Sequence, residues 1–170
     1  SLEELPASMR NMTKLSLLDL AYNKIEKVHP VGKSVSLVQL YLDGNRLETI
    51  PVDEEGYFCG YADSESFSVR YNRLRKVPNI FAADRDATLT SVDFSGNEID
   101  GFEGEEDGSY RGINVETFTL AVNPNMKRYP KGKRFDEVRS MCAWSDYLGG
   151  KYSDALAICS NGETDDFSYI

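Results

Sequence analysis

One frame, present five times, limits what this chain can fold into. The stretch LSLLDLAYNKIEKV from Leu15 recurs as LVQLYLDGNRLETI from Leu37, SESFSVRYNRLRKV from Ser64, LTSVDFSGNEIDGF from Leu89 and VETFTLAVNPNMKRY from Val115. Each copy reads apolar-x-x-apolar-x-apolar-x-x-Asn, usually with apolar residues two and five positions further on. The asparagines Asn23, Asn45, Asn72, Asn97 and Asn123 follow one another at steps of 22, 27, 25 and 26 residues. Two departures are local: Ser64 stands in the first apolar position of the third copy, and Met126 is displaced by one after Asn123. Over its whole length the frame fits neither a helical period nor strict alternation. The pairs Leu18/Leu20, Leu40/Leu42, Phe67/Val69, Val92/Phe94 and Phe118/Leu120 do have the one-residue gap that sends both side chains to one face of a short strand.

Such strands, stacked coil upon coil, form a parallel sheet, and after each strand the chain must turn towards the far side. That corner strands backbone groups without partners. An asparagine amide offers both an acceptor and donors, so one per coil can satisfy the backbone of its own turn and of the next. The five asparagines are therefore expected to be scaffold, a ladder inside the coil, rather than site chemistry. The frame, its copies and their spacing resemble the leucine-rich repeat family, whose unit is about 20–29 residues. The resemblance implies an α/β fold: a right-handed solenoid with a parallel concave sheet and short irregular convex connectors. It places all of residues 1–170 in a single domain, with the five clear repeats over about 1–130.

The connectors vary. LPASMRNMTK before Leu15 reads as a turn-and-helix connector with Leu5, Met9 and Met12 pointing inward, whereas PVDEEGYFCGYAD and DGFEGEEDGSYRGIN, rich in Gly and acid, favour loops. In residues 131–170 the rhythm breaks. Phe135, Val138, Met141 or Cys142, and Leu148 have helical spacing before Gly149 and Gly150, which predicts one longer helix over about Phe135–Leu148. Leu156, Ile158 and Asn161 then fit a degenerate sixth copy or a terminal cap. The opening LPASMRNMTKL would follow an earlier strand, so the chain reads as part of a longer array. Connectors such as GFEGEE and YPKGKRF are similar to those of leucine-rich repeat proteins from gut anaerobic bacteria, many of them surface or secreted. That likeness implies an extracellular or cell-surface address.

Composition removes several function classes. At 41% hydrophobic and 28% charged residues the chain can bury a core, and no apolar run approaches the length of a spanning helix. SLEELPASMRNM lacks the basic and apolar regions of a signal peptide, so an export signal would have been removed. A net charge of −9 argues against nucleic acid as partner, because that affinity comes from Lys and Arg on phosphates. His29 is the sole histidine, and no catalytic loop surrounds Cys59, Cys142 or Cys159, so no enzyme is expected. The cysteines lack zinc-ligand spacing and read as buried thiols. A Cys142–Cys159 disulfide, closing the last helix against the last strand in an oxidising compartment, is the alternative. The NMT sequon at Asn11 matters only in a host that glycosylates. Asp100, Glu103, Glu105, Glu106 and Asp107 lack the spacing of a calcium loop and read as a solvated acidic run, so neither metal nor cofactor is expected. The basic run Lys127, Arg128, Lys131, Lys133 and Arg134 would lie beside that acidic run on the neighbouring coil, with an anionic partner as the alternative.

In this family function usually resides on the concave sheet. Alternation projects Leu17, Asp19, Ala21 and Tyr22 there, then Gln39, Tyr41 and Asp43, then Ser66, Ser68, Arg70 and Tyr71, and small residues around Asp93 beyond. Tyr41, Arg70 and Tyr71 are the leading binding candidates, since Tyr and Arg are enriched among hot spots, with Asp19, Asp43 and Asp93 beside them. The expected function is non-catalytic recognition of a protein or peptide. A structural spacer in a larger surface protein and a carbohydrate-binding module are the alternatives. A monomer is expected, with self-association through an exposed sheet edge as the exception.

Overall fold

The computed structural model describes residues 2–60, 66–80, 89–104, 115–125, 140–143 and 158–160. In chain order its strands are β1 (Leu17–Asp19), β2 (Gly32–Ser36), β3 (Gln39–Tyr41), β4 (Cys59–Gly60), β5 (Ser66–Ser68), β6 (Leu89–Asp93), β7 (Val115–Thr119), β8 (Ser140–Ala143) and β9 (Ile158–Ser160). One sheet runs in the order β1-β3-β5-β6-β7-β8-β9, and β2 pairs with β4 in a second. From β1 to β8 every neighbour is parallel, with Leu18, Leu40, Phe67, Val92, Phe118 and Met141 in one register row. The repeated frame is thus the register of the sheet.

Inward residues of the strands and of the return stretch fill the coil between them. Leu40, Leu42, Phe67, Val69, Val92, Phe94, Phe118 and Leu120 are buried from the strand side, and Ile25, Leu47, Leu74 and Ile99 are fully buried from the other. Three phenylalanines in successive coils form an aromatic spine, Phe67 to Phe94 at 5.8 Å and Phe94 to Phe118 at 5.9 Å between ring centroids. These are favourable tilted and edge contacts.

The ladder exists, with its direction reversed from the sequence expectation. Asn45 Nδ2 donates to Leu42 O and Asp43 O of its own turn at 2.9 and 3.2 Å, and to Leu20 O of the preceding coil at 3.0 Å. Its Oδ1 accepts the Ile25 N–H, also of the preceding coil, at 3.0 Å. Asn72, Asn97 and Asn123 repeat the pattern, accepting from Leu47, Leu74 and Ile99. Each asparagine therefore reaches back rather than forward, because its coil's corner lies against the return stretch already laid down. Asn23 is half-buried and accepts from Leu2, which takes the place Ile25 has for Asn45.

On the convex side a 3-10 helix, Ala7–Asn11, follows Pro6, whose fixed φ suits a helix start. Leu5 and Met9 are buried as expected, but Met12 is 53% exposed, because the helix ends there with Met12 N–H closing on Met9 O and the chain leaving the core. The helix expected over Phe135–Leu148 gives way to strand at its described residues, Ser140–Ala143; the rest of that span lies outside them. Val138, Met141 and Ala143 hold the three apolar positions of the frame, with Asp146 where the asparagine would stand. Spacings of three and five mimic helical periodicity once that asparagine is gone. The repeat expected around Leu156 and Ile158 is also revised, since β9 runs antiparallel to β8. Apolar alternation marks a strand and carries nothing about its direction.

Candidate functional site

Register sets two columns on the concave face. One is Leu17, Gln39, Ser66, Ser91, Thr117 and Ser140; the other is Asp19, Tyr41, Ser68, Asp93, Thr119 and Cys142. Leu17 and Asp19 are exposed, and Gln39, Tyr41, Ser66, Ser91, Asp93, Thr117 and Thr119 are half-buried. Asp43 does not face outward. Its side chain is only 5% exposed and receives four hydrogen bonds from the third coil. Ser68 Oγ donates to Oδ1 at 2.6 Å and the Arg70 N–H at 2.8 Å, while Arg70 Nε and Nη2 donate to Oδ2 at 3.0 and 2.8 Å.

Arg70 is consequently held in place while 43% of its side chain stays exposed. Its hydrogen bond to the Asp43 carboxylate raises its pKa; burial opposes, and the charges of Asp43, Asp93 and Tyr22 add to the rise. Asp93 Oδ2 lies 3.9 Å from Arg70 Nε, and its Oδ1 accepts the Ser95 N–H at 2.8 Å. The structure thus joins Asp43, Arg70 and Asp93 across three coils. Asp19 stands apart, its Oδ1 accepting the Ala21 N–H at 3.0 Å.

Tyr71 belongs to a different feature. The residue before each ladder asparagine is left-handed in all five coils: Tyr22 at φ 56°, Gly44 at 62°, Tyr71 at 53°, Gly96 at 68° and Val122 at 56°. Glycine suits that backbone, and tyrosine occupies it here against steric preference. Each tyrosine ring covers the glycine of the next coil. A Cβ added to Gly44 would come within 2.6 Å of Tyr22 Cδ1, and one added to Gly96 within 2.5 Å of Tyr71 Cδ1. The upper faces remain in solvent, with Tyr22 76% and Tyr71 58% exposed. Sequence reasoning projected both tyrosines onto the concave face and took only Tyr71 as a leading candidate, although the alternation Tyr-Asn, Gly-Asn, Tyr-Asn, Gly-Asn down the frame sets the two alike.

Other candidates are engaged locally. His29 Nε2 meets Glu4 Oε1 at 2.6 Å, Lys76 Nζ meets Asp100 Oδ1 at 3.0 Å, and Glu103 Oε2 accepts the Asn79 N–H at 3.1 Å. Glu105, Glu106, Asp107 and the basic run from Lys127 to Arg134 lie outside the described residues. Among the described residues no helix is long and apolar enough to cross a membrane.

No family model matches the chain. It is 32% identical to lumican from Rattus norvegicus over 143 residues, 82% of this chain and 36% of lumican. It is 32% identical to fibromodulin from Homo sapiens over 163 residues, 94% of this chain and 38% of fibromodulin. The chain therefore spans little more than a third of these curated relatives, both leucine-rich repeat proteoglycans. Among solved structures, a leucine-rich repeat protein from Bacteroides eggerthii superposes with a TM-score of 0.73 at 30% identity, over 85% of this chain and 24% of that one. Another from Bacteroides thetaiotaomicron gives 0.63 at 36% identity, over 82% and 16%. The repeated frame, the ladder that reads it out in space and these likenesses agree: the chain is built of leucine-rich repeats and folds as a leucine-rich repeat solenoid.

Proposed function

We propose that this chain is a non-catalytic recognition module that takes a protein or peptide on its concave sheet. The observation that carries the reading is Arg70, half exposed and already oriented by Asp43. A ligand carboxylate or carbonyl meeting a guanidinium so fixed would lose little side-chain entropy on binding. Tyr41 stands in the neighbouring coil and Tyr71 at the edge of the same face, both residue types that concentrate binding energy. Asp19 and Asp93 add acceptors, whereas Asp43 serves Arg70 from beneath. Leucine-rich repeat relatives support an interaction module in general terms. An extracellular or bacterial cell-surface address accompanies the proposal, and lumican and fibromodulin, as extracellular matrix proteins, support its first half. The module acts as a monomer.

The test is capture from host-cell and bacterial-envelope extracts, with wild type beside Tyr41→Ala/Tyr71→Asn. Asparagine tolerates the left-handed backbone of residue 71, and the Asp43–Arg70 pair is left intact. A partner kept only by wild type supports the concave site. A partner kept by both does not use the tyrosines, and its loss or retention on Arg70→Ala then decides whether the concave face is the site; no partner on either bait favours the spacer. Carbohydrate binding is the second reading, favoured by the exposed Tyr22 and Tyr71 rings, and a glycan array would register it.

A further inference from the structure

The last two described strands set two cysteines opposite one another in register. In the antiparallel pair of β8 and β9 the register partners are Met141 with Ser160, Cys142 with Cys159 and Ala143 with Ile158. Directly opposed residues of an antiparallel pair have Cα atoms about 4.5–5.5 Å apart. A disulfide spans Cα separations of about 4.4–6.8 Å. Opposed residues also lie on one face of the sheet, so the register places these two positions within the span a cross-link requires. The chain has three cysteines, and the third, Cys59, is fully buried on β4 in the other sheet. From the placement of these residues we infer that Cys142 and Cys159 form a disulfide that fastens the terminal strand β9 to the solenoid.

The bond has a structural purpose at that place. Among the described strands β9 is last in the sheet order, and it pairs antiparallel with β8. The cross-link closes the segment 143–158 into a loop and keeps the terminal edge covered, where an open edge invites pairing with another chain. Cys142 occupies the register column of Asp19, Tyr41, Ser68, Asp93 and Thr119. Its formation requires a disulfide-bearing oxidant, a small molecule or a protein. One cysteine thiolate attacks the oxidant's S–S bond, forming a mixed disulfide and releasing one thiol. The other thiolate then attacks the cysteine sulfur of that mixed disulfide and releases the second thiol. Two thiol hydrogens and two electrons thereby leave on the reduced oxidant.

The experiment is to incubate the folded chain with oxidised glutathione, measure its intact mass, and map linked peptides after digestion without reductant. Loss of two hydrogens and a peptide pair joining Cys142 to Cys159 is expected. Cys59→Ala should keep that pair. Cys142→Ser should lose it and leave Cys159 open to alkylation or capped by glutathione. Links through Cys59, intermolecular links, or Cys142 and Cys159 both still alkylated or separately capped in the folded protein would overturn the assignment.

Discussion

Val122 is a β-branched residue at φ 56°, a backbone that costs an L-residue about 1–2 kcal/mol. Two of the equivalent coils have glycine there. Val122→Gly is therefore expected to raise the unfolding free energy by about 1 kcal/mol, after the entropy glycine adds to the unfolded chain, as read from urea denaturation. The converse substitution tests the tyrosine covers. Gly96→Ala combines a left-handed φ of 68° with a Cβ 2.5 Å from the Tyr71 ring. It should cost about 1–3 kcal/mol, and Tyr71→Asn in the same chain should recover the portion due to the clash. Additive single and double variants would show that the ring does not rest on the glycine.

Between coils, the elements are joined by buried, hydrogen-bonded polar groups. Asn97 is 3% exposed; it donates to Val69 O, Phe94 O and Ser95 O and accepts from Leu74 N–H. Asn97→Ala should cost about 2–4 kcal/mol, from more than one buried group left unsatisfied. Asn23→Ala, at a half-buried position that water reaches, should cost about 1 kcal/mol or less, the comparison being made by thermal or urea unfolding. Arg70→Ala removes two of the four bonds to buried Asp43 and should lower stability by about 1–3 kcal/mol, less than a fully buried pair because Arg70 is partly in solvent. Arg70→Lys should recover only part, since a point charge lacks the fork. Much of this level was legible in the sequence: the frame gave strand order, register row and ladder. Asp43 was misread for a definite reason. Alternation between faces holds only inside a strand, and β3 ends at Tyr41, β6 at Asp93 and β7 at Thr119. Two residues beyond each end, Asp43, Ser95 and Ala121 turn inward to 3%, 9% and 8% exposure. Strand β8 was hidden by the loss of one asparagine.

For the molecule as a whole, stability varies along the array because each coil touches only its neighbours. Leu15, Leu18 and Leu20 of the first coil are only partly buried, whereas Phe94 and Phe118 are fully buried between coils. Hydrogen exchange should therefore be faster at the Leu18 and Leu20 amides than at those of Val92 and Phe94, although Leu20 N–H and Phe94 N–H make equivalent 2.9 Å bonds to Tyr41 O and Thr119 O. Equal protection would mean that the coils open as one unit. The backward reach of the ladder gives the array a polarity that the parallel sheet by itself does not reveal. A coil's asparagine finds partners in what precedes it, so a chain made from its amino terminus meets a finished template at every turn. Assembly during synthesis can then proceed by templated growth, one unit docking at a time, and a unit added at the carboxyl side needs no change in those before it.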